Sequence, residues 1–309
     1  MSFEQSRWTE LPERIFHSRG ITAWAVAPVA PVDYDDVSYF RSWLGRGHHA
    51  GMAYMERYPD IRTNPALLLE GARSIVCCAI PYAVSHPHAW VSAYALGSDY
   101  HDVVREILTD VAEEIVAIAG GKFRICVDSA PLRERYWAVR SGLGMRGMSG
   151  HVIVPGLGTA CFLGEIITTA PFAPRRHTTL TECERCGRCI RACPTGALRT
   201  DGTVNAGQCL SYLTIEHRGD FSSEVNLHSR LYGCDACTLA CPHTRNRTVT
   251  DADICPELMP RKSMSEITPE KVVSMTQDEF SAIFSGSSIK RVKLSGLRRN
   301  ALHLLNSMR

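Results

Sequence analysis

Cys183 to Pro194 reads CERCGRCIRACP: three cysteines two residues apart, a fourth after three more, then proline. Cys-x2-Cys-x2-Cys-x3-Cys-Pro is the bacterial ferredoxin run. Its first three thiolates wrap a loop around one [4Fe-4S] cubane, and the fourth ligates another cluster. A second set is therefore required, and Cys209, Cys234, Cys237 and Cys241, followed by Pro242, supply it with a long insertion after the first cysteine. The cross-over assigns Cys183, Cys186, Cys189 and Cys241 to one cluster and Cys193, Cys209, Cys234 and Cys237 to the other. Structural zinc also uses Cys-x2-Cys knuckles. Four ligands per zinc, however, leave both Cys-Pro steps without a purpose.

Outward from this run, the chain has 309 residues and 13 cysteines, nine of them between Cys183 and Cys255. The opening MSFEQSRWTE has no charged segment leading into an apolar one, so it does not read as an export signal. Reduced thiols in the cytoplasm are the expectation, not disulfides. Of the cysteines outside the two sets, Cys77, Cys78, Cys126 and Cys161 fall in apolar runs and read as small buried hydrophobes, while Cys255 receives no role. Hydrophobic content of 45% with 21% charged residues describes a folded globular protein. A net charge of +2 leaves no global field for nucleic acid, so any basic patch has to be local. The nearly uncharged stretch Val152–Pro174 is broken by Pro155, Gly156, Gly158 and Pro171, which favours buried strands over a membrane span.

All five tryptophans precede residue 138, and this composition shift puts a boundary near Ala173 to Thr181. Before it, helical and strand-like segments alternate. Trp8, Leu11, Ile15 and Phe16 have helical spacing with Gly20 as the stop, and Ile21–Val29 follows as a strand. Val37, Phe40 and Leu44 mark a second helix, and Ser74–Ile80 reads as a buried strand. Val104, Ile107, Leu108, Val111, Ile115 and Ile118 form a long amphipathic helix. Lys122–Val127 is a strand with a helix from Pro131, and Val152–Val154 with Cys161–Thr168 read as a closing pair of strands. Pro269–Leu305 reads as helices. The fold expected is α+β: an α/β-like domain over residues 1–175, a ferredoxin-like domain with two [4Fe-4S] clusters over 176–255, and C-terminal helices over 256–309.

Clusters move single electrons, so a separate reaction centre is required upstream. Asp128, at the end of a strand before a Pro-initiated helix, is the candidate. It reads as a general acid or as a helix N-cap. Arg57, Arg135 and Arg140 read as phosphate ligands or as a solvated face.

Beyond these readings, the chain resembles the epoxyqueuosine reductases, cobalamin-dependent iron-sulfur enzymes of tRNA modification. The resemblance runs through GHHAGMAYMERYPDIRTNPALLLEGARSIV from Gly47, VDSAP from Val127, Ser141-Gly142-Leu143-Gly144 and FLGEIITT from Phe162. It continues through CERCGRCIRACPTGAL, QCLSYLTIEHRG from Gln208, YGCDACTLACP from Tyr232 and FSGSSIKRVKLSGLRRN from Phe284. The resemblance implies reduction of epoxyqueuosine to queuosine at the tRNA wobble position. Electrons from a small redox protein would pass through both clusters to cobalamin. It implies Asp128 as proton donor, a role that suits a buried carboxyl whose pKa is raised. Arg57, Asp128, Leu163, Ser211, Cys237 and Thr238 match positions lining the corrinoid pocket. Glu216, His217 and Arg218 match a segment that meets tRNA, and Lys290, Arg291, Lys293, Arg298 and Arg299 form a basic run read as phosphate contacts.

Three departures stand out. Gly147-Met148-Ser149 replaces the usual Gly-Lys-Asn, removing a cation and an amide expected near cofactor or substrate. His243 stands where tryptophan is common. The chain stops at Arg309, as in a short form without the helical repeat extension. No Asp-x-His-x-x-Gly motif occurs; Asp99-Tyr100-His101 begins one, but Val104 stands at the glycine position. A cytoplasmic monomer without a membrane partner is expected. The alternatives are a related cobalamin reductase of a small molecule and an electron-transfer protein lacking cobalamin.

Overall fold

The computed structural model describes residues 9–180 and 182–307. Trp8, Thr181 and the outermost residues of the expected first and last segments lie outside them. The strands are β1 (Ala23–Pro28), β2 (Ser74–Pro81), β3 (Phe123–Cys126), β4 (Met145–Arg146), β5 (Val152–Ile153) and β6 (Cys161–Thr168). The helices of the first half are α1 (Arg14–His17), α2 (Tyr34–Gly45), α3 (Pro59–Thr63), α4 (Tyr100–Ala119) and α5 (Glu134–Arg140). Those of the second half are α6 (Arg188–Ala192), α7 (Leu210–Ile215), α8 (Ala236–Ala240), α9 (Pro242–Arg245), α10 (Pro269–Ser274), α11 (Gln277–Ile283) and α12 (Lys293–Ser307).

The main sheet has the order β1-β2-β6-β3, with every neighbouring pair antiparallel. β2, the run SIVCCAIP, is buried along its whole length, as an apolar run with β-branched residues and no polar alternation requires. One face of the sheet packs against α4, whose Val104, Leu108, Val111, Ala112 and Ile115 are buried at helical spacing. Gly164 makes this contact possible, because a Cβ there would sit 2.6 Å from Leu108. The other face carries Cys77, Ala79 and Ile167 against Trp137, Leu143 and Val154.

Two expectations are corrected. Val152–Val154 and Cys161–Thr168 are not partners: β5 pairs with β4 in a separate two-stranded sheet, while β6 is a central strand of the main one. Pro155 and Gly156 turn the chain out of β5, and Gly158, with φ 73°, closes that turn with Gly158 N donating to Val154 O at 2.8 Å. The helix expected from Pro131 begins only at Glu134, after Arg133. Helix α1 is also short, covering Arg14–His17, with Gly20 at φ 71° beyond it.

A second core lies among the C-terminal helices, where Phe280, Phe284, Val272, Leu297 and Leu304 pack with Leu213 and Leu231. Val91, Ala95 and Leu96 from the first half belong to this core. Their loop is fastened by Ser92 N donating to Tyr232 O at 2.8 Å and Ala93 N to the Asp235 carboxylate at 2.8 Å. The halves also meet at Gly158, where a Cβ would lie 2.5 Å from the Thr244 Cα. Beside it, Thr159 N donates to Thr244 Oγ1 at 3.0 Å. Among the described residues no helix is long and apolar enough to cross a membrane.

Candidate active site and cluster sites

Asp128 directly follows β3 and Val127, with its backbone at φ 56°, a strained region for a residue other than glycine. It does not cap α5, which starts six residues later behind Arg133. Neighbours hold it instead. Its N–H donates to Glu134 Oε1 at 2.5 Å, Tyr100 Oη donates to Asp128 Oδ2 at 2.9 Å, and His101 Nε2 meets the same oxygen at 3.1 Å. On its other side His101 Nδ1 meets Asp99 Oδ1 at 2.7 Å. Asp99 thus begins α4 as its N-cap and also orients the imidazole. The Asp128 side chain is 60% exposed although these groups crowd it, so its carboxylate is both held and open to solvent.

These contacts decide the protonation states. Burial pushes the His101 imidazole down, but its bonds to Asp128 and Asp99 outweigh that and hold it up at about 9. Burial pushes Asp128 up, yet the hydrogen bonds from His101 and Tyr100 win and its pKa is lowered. The raised carboxyl expected at Asp128 is thereby corrected: at neutral pH Asp128 is ionised and the proton sits on His101. In the sequence Asp99, Tyr100 and His101 read only as the start of an incomplete motif. The carboxylate at Asp99 and the imidazole two residues on were the signal available there. Both His101 nitrogens face carboxylates, so His101 has no free nitrogen for a metal.

Behind Asp128, Glu165 sits in the middle of β6, opposite Cys77 on one side and Cys126 on the other. It is fully buried, with no hydrogen-bond partner at either oxygen. Burial, and then the nearby Glu134, push its carboxyl far up, so it is neutral. Burial followed by Asp128 pushes Glu134 up as well. Cys77, Cys78 and Cys126 are buried as expected of apolar positions, and Cys161 is partly so.

The eight cluster cysteines are free thiols arranged as two groups. Cys183, Cys186, Cys189 and Cys241 line one small cavity, together with Met148, Ser149 and His243. In the other group Cys237 is pushed up to about 12, by burial and then by Cys234, Cys209 and Cys193 beside it. The chain thus brings together both sets that the cross-over demands. Among the described residues no three Cys, His, Asp or Glu converge on one point as a single ion needs. A cubane instead takes its thiolates at four separate corners, so donor chemistry and spacing fit two clusters. His243 also meets Glu184 at 3.2 Å. Met148 and Ser149, expected near cofactor or substrate, lie on the first cysteine cavity.

The second group reaches Asp128 through aromatic contacts. Thr238 is buried in α8, close to Tyr82. Tyr82 packs on Phe162 with ring centroids 4.9 Å apart, Phe162 stacks on Tyr100 at 4.3 Å, and Tyr100 bonds Asp128. Cys237 Sγ lies 4.0 Å from His151 Nδ1. Leu163 is half-buried on β6 opposite Ala79, and Ser211 is half-buried in α7. Arg57 is exposed in a loop tied to α7 by Gly51 N donating to Tyr212 Oη at 2.8 Å. Half-buried Leu163 and Ser211, buried Thr238 and exposed Arg57 offer the apolar, hydroxyl and cationic groups that suit a large ring bearing amides and a phosphate.

The expected tRNA residues divide. Glu216 accepts from Arg291 Nε at 2.6 Å, Arg291 lies over the Tyr54 ring at 5.9 Å, and Tyr54 feels the charges of both Glu216 and Asp128. Lys290, Arg291 and Lys293 are exposed. Arg299, in contrast, donates to His217 O and Gly219 O at 2.9 Å each and lies over Phe221 at 4.4 Å. Arg298 donates to Met275 O, and Arg218 to Ile215 O at 2.8 Å. Arg298 and Arg299 are therefore corrected from free phosphate contacts to braces of α12. Arg140 pairs with Asp33 at 2.6 Å, and Arg135 donates to Gly150 O at 3.2 Å.

Comparison with known proteins adds to this geometry. Residues 62–129 match the family model described as epoxyqueuosine reductase QueG, DUF1730, and residues 182–244 match that of a 4Fe-4S double cluster binding domain. The chain is 35% identical to the epoxyqueuosine reductase of Gloeobacter violaceus over 304 residues, covering 94% of this chain and 92% of that one. It is 33% identical to that of Cyclobacterium marinum over 281 residues, covering 86% and 87%. A crystal structure of epoxyqueuosine reductase with an epoxyqueuosine-modified tRNA-Tyr stem loop superposes with a TM-score of 0.83 at 27% identity, covering 94% of this chain and 78% of that one. The Bacillus subtilis enzyme, with its catalytic aspartate loop swung out of the active site, gives 0.83 at 27%, covering 95% and 80%.

Proposed function

The chain belongs to the epoxyqueuosine reductase family, and from that premise we propose that it reduces epoxyqueuosine in tRNA to queuosine through the site around Asp128. The observation that carries this reading is the Asp128 carboxylate, exposed in a strained backbone and held by Tyr100 and by His101, which Asp99 orients from behind. The reaction consumes two electrons and two protons, converts the epoxide to an alkene and releases its oxygen as water. Cobalamin, when bound, supplies the two-electron nucleophile, and the two clusters supply its electrons.

The chain's own residues handle the proton and the fit. As negative charge grows on the departing oxygen, Asp128 passes on the proton held by His101, and Asp99 stabilises the imidazolium and fixes its orientation. Tyr100 holds the carboxylate in place. Arg57, Leu163, Ser211 and Thr238 would hold the corrinoid, and neither nitrogen of His101 is free to ligate it. Lys290, Arg291 and Lys293 reach tRNA phosphates beside Glu216, while His217 and Arg218 shape the adjoining loop. A small redox protein donates the electrons, and the enzyme works as a cytoplasmic monomer. Met148 and Ser149 line the first cysteine cavity, and Ser149 also meets His151, the neighbour of Cys237, so their departure from the family pattern bears on the surroundings of the clusters. The test is conversion of epoxyqueuosine-containing tRNA by the reconstituted enzyme and its Asp128→Asn variant. Loss of conversion in the variant with iron and cobalt retained supports the role, and undiminished conversion refutes it.

A further inference from the structure

The cysteine that the first cavity leaves most open is Cys186, which is exposed while the other seven cluster cysteines are partly buried. Around it the sequence from Glu182 to Arg199 carries four arginines against two glutamates. That excess equals the net charge of the whole chain, +2. Arg185, Arg188, Arg191 and Arg199 are all exposed. Arg191 lies across the loop itself, donating to Cys186 O at 3.2 Å, and Glu184 is engaged by His243 at 3.2 Å. A solvent-facing thiolate ligand within a cationic rim has the features of a protein electron-transfer contact. The redox centre reaches the surface, and the field around it steers a partner of opposite sign.

We propose that the face around Cys186, rimmed by Arg185, Arg188 and Arg191, docks an acidic one-electron carrier protein that reduces the cluster held by Cys183, Cys186, Cys189 and Cys241. This rests on the reading above that a small redox protein supplies the electrons. In each encounter one electron leaves the reduced carrier and enters the cluster, with no bond made or broken. Two encounters supply the two-electron reduction. An RNA phosphate backbone would also meet arginines, but it gains nothing from an exposed cluster ligand at the centre of the rim.

The test uses the holoenzyme, without tRNA, mixed with a reduced flavodoxin of strongly negative net charge, and follows bleaching of the cluster absorbance. The expected rate falls at least tenfold from low to high ionic strength. In R185E/R188E/R191E the low-salt rate drops at least tenfold and the salt dependence disappears or inverts, while iron content and the extent of bleaching by dithionite stay as in the wild type. A wild-type rate indifferent to salt would overturn the proposal, as would a fully loaded variant reduced at the wild-type rate. If charge reversal costs iron, R185Q/R188Q/R191Q and the wild-type salt dependence decide. A variant that keeps the flavodoxin rate but loses binding to a tRNA stem loop assigns the face to RNA and also overturns it. Since the readout contains no substrate, failure of the wild type to convert epoxyqueuosine counts against the substrate assignment and leaves this result intact.

Discussion

At Asp128 a strained backbone, a hydroxyl and an imidazole meet, and the imidazole decides how the carboxyl works. His101 is held up at about 9, above the ordinary value near 6.5. Its ion pair with Asp128 and Asp99 therefore stabilises the fold fully below about 6.5, and that contribution is lost as pH rises through about 9. Single-turnover conversion, which depends on the folded enzyme alone, is expected to fall only as pH rises through about 9. His101→Gln should slow the reaction about 10²-fold or more and abolish this alkaline limb; an unchanged pH profile would remove His101 from the proton path. Glu165 gives a second test at this scale. Because its buried carboxyl is neutral, Glu165→Gln should change stability by no more than about 1 kcal/mol, whereas Glu165→Lys should prevent folding. Chemical denaturation of both variants decides this.

At the scale of elements, the cysteine runs state their own pairing. Cys241→Ser, distant in sequence from Cys183, should impair the cluster of Cys183, Cys186 and Cys189 and leave the other intact. Iron counting with electron paramagnetic resonance would show which signal is lost. The basic run at the start of α12 and just before it gives a sharper division. Lys290→Ala with Lys293→Ala should weaken tRNA binding and reduce the salt slope by about 0.7–0.9 per charge. Arg299→Ala, which removes bonds to two backbone carbonyls, should instead cost about 1–3 kcal/mol of stability, measured by denaturation. A basic run does not reveal which of its cations turn inward, because that depends on where the loop at His217 to Gly219 packs. Spacing made β2, α4 and the cluster ligands legible. The pairing of β5 with β4 was not, since two short apolar segments in sequence look like neighbours until Pro155 and Gly156 turn the chain away.

Across the whole molecule, the two halves are built as one body. Val91, Ala95 and Leu96 complete the C-terminal core, and Gly158 touches the backbone of Thr244 next to the last cluster cysteines. Composition suggested a boundary, but the contacts across it are long-range and had no signature in sequence. The proton-holding trio at Asp99, Tyr100 and His101 was hidden for a related reason, as its partner Asp128 arrives from another strand. The most direct measurement is anaerobic reconstitution with iron, sulfide and cobalamin, followed by mass spectrometry of epoxyqueuosine-containing tRNA under reductant. About eight iron, one cobalt per chain and conversion to queuosine that disappears in Asp128→Asn are the predicted results. Full iron and cobalt with no queuosine formed would contradict the account.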